Sequence, residues 1–482
     1  MIAALAALEG SAIFAALSVA MASWSRPPVG VLAAEWHVLA LALALAGGTL
    51  VALYYADAYV LHAVPGPGRL FTRLPRCLGF AAIPLGALYL WFPEAAAPSA
   101  LAIGAALGLL PLLRAPFYRL LRTGAFAQRV LIIGTGPLAR QAMDAIACEG
   151  CGRYVIAGVV DDELDAEESF VPPDERLGPL SGLDRIIETA RPDRIVVALE
   201  ERRRRLPVRP LLDARLTGVL VEDAAAFYER VTGKIAIEAL TPSSLIFSHD
   251  YRAPWVALAV SRALSVAAAA VGLAMLLPVF GVIALCILRD SPGPVFFVQE
   301  RLGRGGRRFL LVKFRTMLVA ETPHSEWALD NADRVTSVGR WLRRFRLDEL
   351  PQFWNVLRGD MDLVGPRPHP VSNFSLFVTV LRNSPECGEQ IPYYSLRSMA
   401  RPGITGWAQV RYRYANNLEE EIEKMRYDLF YVKHRSLWLD LRILADTVKT
   451  VLAGREALDE TPDRSASPAA SRGRWQLAAR PR

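Results

Sequence analysis

Two adjacent carboxylates, Asp348 and Glu349, lie in a run of fixed cations, Arg343-Arg344-Phe345-Arg346-Leu347-Asp348-Glu349-Leu350-Pro351-Gln352, and Gly365-Pro366-Arg367-Pro368 follows shortly after. A carboxylate pair can hold a divalent metal ion or attack a phosphorus atom, and guanidinium groups can hold the phosphate oxygens that gain charge in the process. Upstream, residues 256 to 288 form a long apolar segment interrupted by Gly272, Pro278 and Gly281. Together these features point to phosphoryl transfer at a membrane surface.

The groups need elements to aim them. A strand expected over Phe309 to Met317 alternates so that Lys313 and Arg315 share one face, two cations at phosphate-binding spacing, while Phe314 takes the other. Val338, Trp341, Leu342 and Phe345 then recur at helical spacing, with Arg340, Arg343, Arg344 and Arg346 among them. That pattern describes either an amphipathic helix with its apolar side in lipid or a core-packed helix with a solvated basic face. Neighbours inside a helix point about 100° apart, so Asp348 and Glu349 converge on one metal most easily at a helix start, where Pro351 is tolerated. A helix N-terminus there favours ionised Asp348 and an incoming phosphate. Alone, Asp-Glu before a helix is more often a cap than a catalyst. The ensemble with Lys313, Arg343 and Arg367 carries the catalytic reading.

The 482 residues exceed one ordinary core, and the composition is 52% hydrophobic and 21% charged, with the apolar residues bunched in long runs. The net charge of +7 sits largely on arginines beside those runs, which suits anionic lipid head groups, and no zinc-finger or helix-turn-helix spacing supports nucleic acid. Cys148 and Cys151 have a C-x-x-C spacing without a second pair, so reduced thiols are expected rather than a zinc site. Apolar runs at about 2–24, 36–58, 76–93 and 98–113 predict four membrane helices, the first a retained span rather than a cleaved signal. Arg69, Arg73 and Arg76 between the second and third, and Arg114, Arg119, Arg122 and Arg129 after the fourth, put both ends of this bundle in the cytosol.

After the bundle, Arg129 to Ile133 reads as a strand turning into a helix through Gly134-Thr135-Gly136-Pro137-Leu138-Ala139; further strands are expected at Tyr154 to Val160, ending in Asp161-Asp162, and at Arg194 to Leu199. This is a Rossmann-like pattern. It reads as a dinucleotide site or, preferably, as a doubly wound domain that keeps the turn glycines for packing, since no catalytic Tyr/Lys or nucleophile accompanies it. Residues 201–205 read as a solvated loop. In the apolar segment 256–288, arginines on both flanks suit a helix that enters the membrane, breaks at Pro278 and returns to the same face; a kinked complete span is the alternative.

From Val256 to about Leu452 the chain resembles the bacterial sugar transferases, the monotopic polyprenyl-phosphate phosphoglycosyltransferases. The resemblance is carried by Asp290-Ser291-Pro292-Gly293-Pro294, Lys313-Phe314-Arg315-Thr316-Met317, Leu347 to Gln352, Asn355-Val356-Leu357-Arg358-Gly359-Asp360-Met361, Gly365 to Pro368 and Arg401-Pro402-Gly403-Ile404-Thr405-Gly406-Trp407. Residues 200–250, including 244–248, look most like the subgroup that accompanies exosortase-type sorting. The resemblance implies transfer of a sugar-1-phosphate from a UDP-sugar to undecaprenyl phosphate with release of UMP, at the cytosolic face of the bacterial inner membrane, initiating exopolysaccharide or capsule synthesis. It implies Asp348 as the nucleophile that forms an aspartyl phospho-sugar and sits at Mg2+, and Glu349 as metal partner or base. Lys313, Arg315, Arg343 and Arg367 would hold phosphate oxygens, with Pro366, Arg367 and Pro368 near the nucleotide. The chain departs from many members at the helix break, where Leu277-Pro278 stands in place of Ser-Pro.

The expected fold is membrane α plus α/β. Four transmembrane helices fill 1–115, a Rossmann-like doubly wound domain 128–227, a linker 228–255, a monotopic α/β transferase domain with a re-entrant helix 256–455, and a disordered tail 456–482. Expected partners are the UDP-sugar, undecaprenyl phosphate and membrane lipids, with no nucleic acid; a homodimer stays open. An NAD-dependent nucleotide-sugar enzyme centred on Gly134 and Gly136, and a non-enzymatic membrane scaffold for polysaccharide assembly, are the competing readings.

Overall fold

The computed structural model describes residues 2–24, 32–55, 77–82, 85–86, 90, 93–122, 127–148, 153–162, 171, 175–199, 205–240, 254–319, 334–371, 396–412 and 418–453. The expected tail 456–482, parts of the third expected span, and residues 201–204 and 244–248 lie outside them. The chain forms two compact units that divide between Ala224 and Ala225.

The first unit begins with helices α1 (Ile2–Trp24), α2 (Leu32–Tyr55) and α3 (Pro93–Arg122). Their Ala, Leu and Ile side chains are apolar all round, so they both build a core and face outwards: Ile13, Leu17, Leu45, Leu53, Ile103 and Leu107 are buried together, while Val19, Leu43, Leu101 and Leu112 are exposed. Such a surface suits lipid rather than water. By length and composition Ala97–Phe117 could cross a membrane, and 5–20 and 39–55 are shorter apolar helices. Two charges are buried in this apolar core, Glu9 and Arg114, and they satisfy each other through two hydrogen bonds of 2.5 and 2.8 Å. The matched bidentate geometry is what makes burial of that pair tolerable.

The same unit continues as a parallel five-stranded sheet of order β3-β2-β1-β4-β5, formed by β1 (Gln128–Ile133), β2 (Tyr154–Val160), β3 (Arg176–Gly178), β4 (Arg194–Val197) and β5 (Leu220–Asp223). Helices α4 (Pro137–Cys148), α5 (Leu183–Ala190) and α6 (Val208–Leu216) connect the strands. The central strands are runs of Val, Leu and Ile buried along their length, as parallel strands covered on both faces require.

The second unit opens with α7 (Ala224–Thr232), followed in the described residues by α8 (Trp255–Asp290). The interruption expected at Pro278 is not a break in secondary structure: α8 runs through it as one helix. Proline removes a single hydrogen bond and crowds one preceding turn, and the Ala- and Leu-rich flanks continue the helix on both sides. One side of α8 lies along the α/β elements for nearly its whole length. Arg262 donates to the Val356 and Met361 carbonyls and to Asp362 at 2.7 to 2.8 Å; Gly272 leaves room for the Phe353 ring, which a Cβ would approach to 2.9 Å; Ile283 and Ile287 are buried with Phe314 and Leu342. The other side exposes Val271, Met275, Leu277, Val282 and Leu285.

Beyond α8 an antiparallel hairpin forms from β6 (Phe296–Leu302) and β7 (Arg308–Phe314), with Phe297 opposite Lys313. Helix α9 (Ser337–Arg344) follows, and a 3-10 turn (Leu347–Glu349) leads into α10 (Gln352–Arg358). Strands β8 (Asp362–Val364) and β9 (Gly403–Thr405) pair in parallel; α11 (Trp407–Arg411), α12 (Leu418–Lys433) and α13 (Leu437–Ala453) complete the unit. Residues 228–240, expected as linker, include the end of α7 and a 3-10 turn over Ile237–Ala239, and Ile235 and Ala236 are fully buried.

Candidate active site

The carboxylates sit in the 3-10 turn that precedes α10, and the turn is aimed by Arg346, whose φ of 54° is left-handed. A non-glycine residue there costs roughly 1–2 kcal/mol, so the reversal between α9 and the turn is held by its surroundings. In a 3-10 turn successive side chains diverge by about 120°. Asp348 and Glu349, neighbours in sequence, therefore meet different partners.

Glu349 is taken by arginine. Arg367 Nη2 donates to Glu349 Oε1 at 2.9 Å, and Arg346 Nη1 lies 3.8 Å from Oε2. Burial alone would push this carboxyl up, but Arg367 and Arg346 outweigh it and hold the group below the ordinary carboxylate range. Asp348 is also buried, 9% exposed, and among the described residues it accepts no hydrogen bond. Burial, then the Glu349 charge, raise it to about 6 against the pull of Lys313, Arg367 and Arg343.

Lys313 reaches the same place from β7. Its ammonium stands 5.1 Å from the Phe297 ring centre, the residue opposite it in the hairpin, and makes no hydrogen bond among the described residues. Burial, then Arg301, lower it to about 8. A half-buried ammonium and a buried carboxyl that both lack hydrogen bonds are unusual. Both point to a ligand that supplies what the protein does not.

Arg367 is aimed by a loop with no backbone freedom left. The carbonyls of Pro366, Arg367, Pro368 and His369 accept in turn from the Gly403 amide (3.0 Å), Arg397 (2.5 Å), Arg301 (3.2 Å) and the Leu302 amide (3.1 Å). The glycines of the two motifs make this possible: a Cβ on Gly365 would collide with the Arg401 carbonyl, and one on Gly403 or Gly406 with the backbone of Gly365. His369, buried beside this loop, is held well below its usual value by burial and then by Arg397. Arg343 is fixed on α9 by its 2.9 Å bond to Thr316 Oγ1, and α9 approaches Thr316 so closely that only Gly339 fits. The N-terminus of α9 is capped by Thr336, and the Val338 amide donates to Asp290 at the end of α8. Of the apolar positions that suggested an interfacial helix, Leu342 faces the core and Trp341 faces outwards.

The structure thus brings Asp348, Glu349, Lys313, Arg343 and Arg367 together, with Pro366 and Pro368 bracketing Arg367. Arg315 is not with them. β7 ends at Phe314, so strand alternation no longer governs the next residue, and the buried Arg315 guanidinium donates to the carbonyls of Ser291 and Pro292 at 2.7 Å each. It anchors the turn after α8. Two residues that sequence reasoning missed complete the cluster: Arg346, and Gln409 on α11, whose Oε1 accepts from Arg367 at 2.9 Å and from Arg346 at 3.4 Å. The motif containing Gly406-Trp407 ended two residues short of Gln409.

No group of three or more His, Cys, Asp or Glu side chains suited to a metal ion occurs among the described residues. The donor set still suits a hard divalent cation in one respect, because Asp348 offers unoccupied carboxylate oxygens; Mg2+ is commonly held by one or two carboxylates, with substrate phosphates and water supplying the rest. Arg367 already engages Glu349.

The profile of the bacterial sugar transferases matches residues 256–454, which contain every group of this cluster. Over 227 residues the chain is 38% identical to the UDP-N-acetylgalactosamine-undecaprenyl-phosphate N-acetylgalactosaminephosphotransferase of Aeromonas hydrophila, covering 47% of this chain and 51% of that protein. It is 43% identical over 194 residues, 40% of this chain and 69% of the relative, to the UDP-glucose:undecaprenyl-phosphate glucose-1-phosphate transferase of Caulobacter vibrioides. A longer match reaches the N-terminal unit: 31% identity over 343 residues, 70% of this chain and 61% of the relative, to the undecaprenyl-phosphate glucose phosphotransferase of Komagataeibacter xylinus. The chain thus spans about half the length of the Aeromonas relative and about two thirds of the other two. On the 43% identity across 69% of the Caulobacter protein, together with the matched profile, the chain belongs to the bacterial sugar transferase family.

Proposed function

We propose that this protein transfers a sugar-1-phosphate from a UDP-sugar to undecaprenyl phosphate and releases UMP. The observation that carries this reading is the pairing of Asp348, buried and without a hydrogen bond, with the equally unsatisfied Lys313, beside arginines whose backbones are fixed. A carboxylate in that setting is a nucleophile awaiting a phosphate. An Asp348 carboxylate oxygen attacks the phosphorus that carries the sugar, and the bond between the two phosphates breaks with its electron pair leaving on UMP. An oxygen of undecaprenyl phosphate then attacks the same phosphorus, restores the Asp348 carboxylate and forms the lipid diphosphate sugar. Lys313, Arg343 and Arg367 hold the oxygens that gain charge in both steps, with no reorganisation needed because they are already placed. Glu349 orients Arg367 through their hydrogen bond. Asp348 would hold Mg2+, which when bound would supply positive charge to the phosphate oxygens. The nucleotide lies by the Pro366-Arg367-Pro368 loop.

The contacts of α8 support a reading of the membrane arrangement. Residues 262 and 287 lie about 37 Å apart along a helix, more than the roughly 30 Å of hydrocarbon in a bilayer. Both are bonded to or packed on elements of one α/β unit, which buries charged groups such as Asp362. A straight crossing would draw that unit through the lipid. We therefore read α8 as dipping in from one face and staying on it, with Pro278 as the point where it can bend, the exposed apolar side in lipid and the site at the cytosolic surface of the inner membrane. The three N-terminal helices, with the further span expected over 76–93, are read as a four-span bundle.

The five-stranded sheet is read as a Rossmann-like domain without a dinucleotide. Gly134 serves packing, because a Cβ would stand 2.9 Å from the Ala198 backbone, and the Asp161 carboxylate that would meet a ribose is engaged by Thr135 Oγ1 at 2.7 Å, the Asp162 amide at 2.8 Å and Arg205 at 3.3 Å.

The test is to offer membranes containing the protein undecaprenyl phosphate and a panel of UDP-sugars while measuring UMP. Release with at least one sugar, abolished in Asp348→Asn, is the expected result; consumption of NAD without UMP release would reject the reading.

A further inference from the structure

The stretch from α7 to Leu240 is built into the transferase unit at one specific point. Gly233, with φ +69°, leaves a position where a Cβ would stand 3.1 Å from the Trp407 ring, and the Trp407 indole Nε1 donates to the Gly233 carbonyl at 2.9 Å. On either side the docking is reinforced. Glu229 accepts from Lys433 at 2.9 and 3.1 Å, Lys234 pairs with Glu423 at 2.5 Å, and the Ile235 amide donates to the Arg426 carbonyl at 3.1 Å.

Trp407 opens α11, a helix of only 5 residues. So short a helix cannot hold its place by its own hydrogen bonds, and its neighbours must set its position. On one side Gly406 is pressed against the Gly365 carbonyl, where a Cβ would collide; on the other Trp407 is held by Gly233, by Phe430 at 5.9 Å between ring centres and by the Arg411 guanidinium 4.4 Å from its ring. Residues 407 and 409 point about 200° apart on a helix. While Trp407 faces the stretch from α7, Gln409 faces the site, where its single carbonyl oxygen accepts from both Arg367 and Arg346.

We propose that Gln409 is a positioning residue for the transfer reaction, fixing Arg367 and Arg346 relative to the carboxylates, and that Trp407, docked on the Gly233 carbonyl, keeps Gln409 in that register. The stretch 225–240 then acts on the site through Trp407. The inference rests on the reaction proposed above and names which residues set its geometry.

The experiment compares full-length protein with Gln409→Met, which keeps length without an acceptor, Trp407→Phe, which keeps a ring without the donor, and the double variant. Two readouts are taken: kcat/KM for UMP release per folded protein, and hydrogen exchange of the Leu302 amide, which donates to the His369 carbonyl in the Arg367 loop. Gln409→Met is expected to lower kcat/KM about tenfold or more, as loss of an aimed charge does. Trp407→Phe lowers it less. The double variant falls no further than Gln409→Met, because Trp407 acts through Gln409, and the Leu302 amide exchanges faster in all three. Unchanged kcat/KM and unchanged Leu302 exchange, with only additive losses in thermal midpoint, would overturn the proposal. If the unaltered protein releases no UMP from any UDP-sugar, the reaction reading fails, and the exchange comparison still decides the positioning claim.

Discussion

Arg367 donates one Nη to Glu349 and the other to Gln409, each at 2.9 Å, so two of its five N–H groups orient the fork within the protein. Asp348, the residue immediately before Glu349, accepts no hydrogen bond among the described residues. Two adjacent carboxylates therefore do different work. Glu349 is an ionised anchor for an arginine, and Asp348, on the function proposed above, is the reactive group.

The pH dependence follows from Asp348 and Lys313. On the proposed route the reaction needs Asp348 ionised and Lys313 protonated, and these groups are shifted to about 6 and about 8. In the free protein kcat/KM is expected to rise with pH through about 6 and to fall through about 8. Added Mg2+ should move the lower limb to lower pH by favouring the carboxylate. A profile flat from pH 5 to 9 would remove Asp348 as the ionising nucleophile.

Replacing Asp348 should trade activity for stability. Its folded value of about 6 lies above the ordinary 3.8, so the unfolded chain ionises more readily. The resulting cost is absent below about pH 4, grows as pH rises, and is complete above about 6. Asp348→Asn removes it, with a gain on the order of 1–3 kcal/mol at pH 7 and little change at pH 4. Thermal midpoints in detergent with EDTA check this; a variant less stable at pH 7 would show that the carboxylate is a structural group.

Arg346 separates backbone strain from charge. Its left-handed φ of 54° favours glycine, so Arg346→Gly should be more stable than Arg346→Ala by about 1 kcal/mol, while both lose activity with the guanidinium. Equal thermal midpoints for the two variants would mean that the turn relaxes once the arginine is gone.

The sequence displayed what depends on local pattern. Asp348 and Arg367 stand in short motifs whose glycine and prolines mark tight turns, Lys313 stands in a strand of alternating pattern, and the parallel sheet is visible in its buried Val and Ile runs. What it concealed depends on where distant segments meet. Gln409 is an ordinary polar residue until β8 and β9 pair and bring α11 beside Arg367. Arg315 looks equivalent to Lys313 in the sequence because the strand expected over Phe309 to Met317 runs three residues past its end at Phe314. The uninterrupted α8 shows the reverse problem: Pro278 is a strong local signal, overridden by apolar helix formers on both sides and by packing along the helix.

Cysteines placed at Trp255 and at Pro294, both exposed positions at the two ends of α8, should be labelled by a membrane-impermeant reagent only from the cytosolic side. Labelling of the Pro294 position from outside intact cells would show that α8 crosses, and would reject the reading drawn from its contacts at Arg262 and Ile287.

The central claim is that Asp348 forms a covalent bond to phosphorus, and its most direct measurement is UMP exchange without any lipid acceptor. A two-step route through Asp348 releases UMP before undecaprenyl phosphate arrives, whereas direct attack by the lipid phosphate cannot. The protein is expected to exchange labelled UMP into UDP-sugar in the absence of polyprenyl phosphate, and Asp348→Asn to lose that exchange entirely. Exchange at near the normal rate in Asp348→Asn would contradict the account and leave Asp348 as a metal ligand or a cap on the following helix.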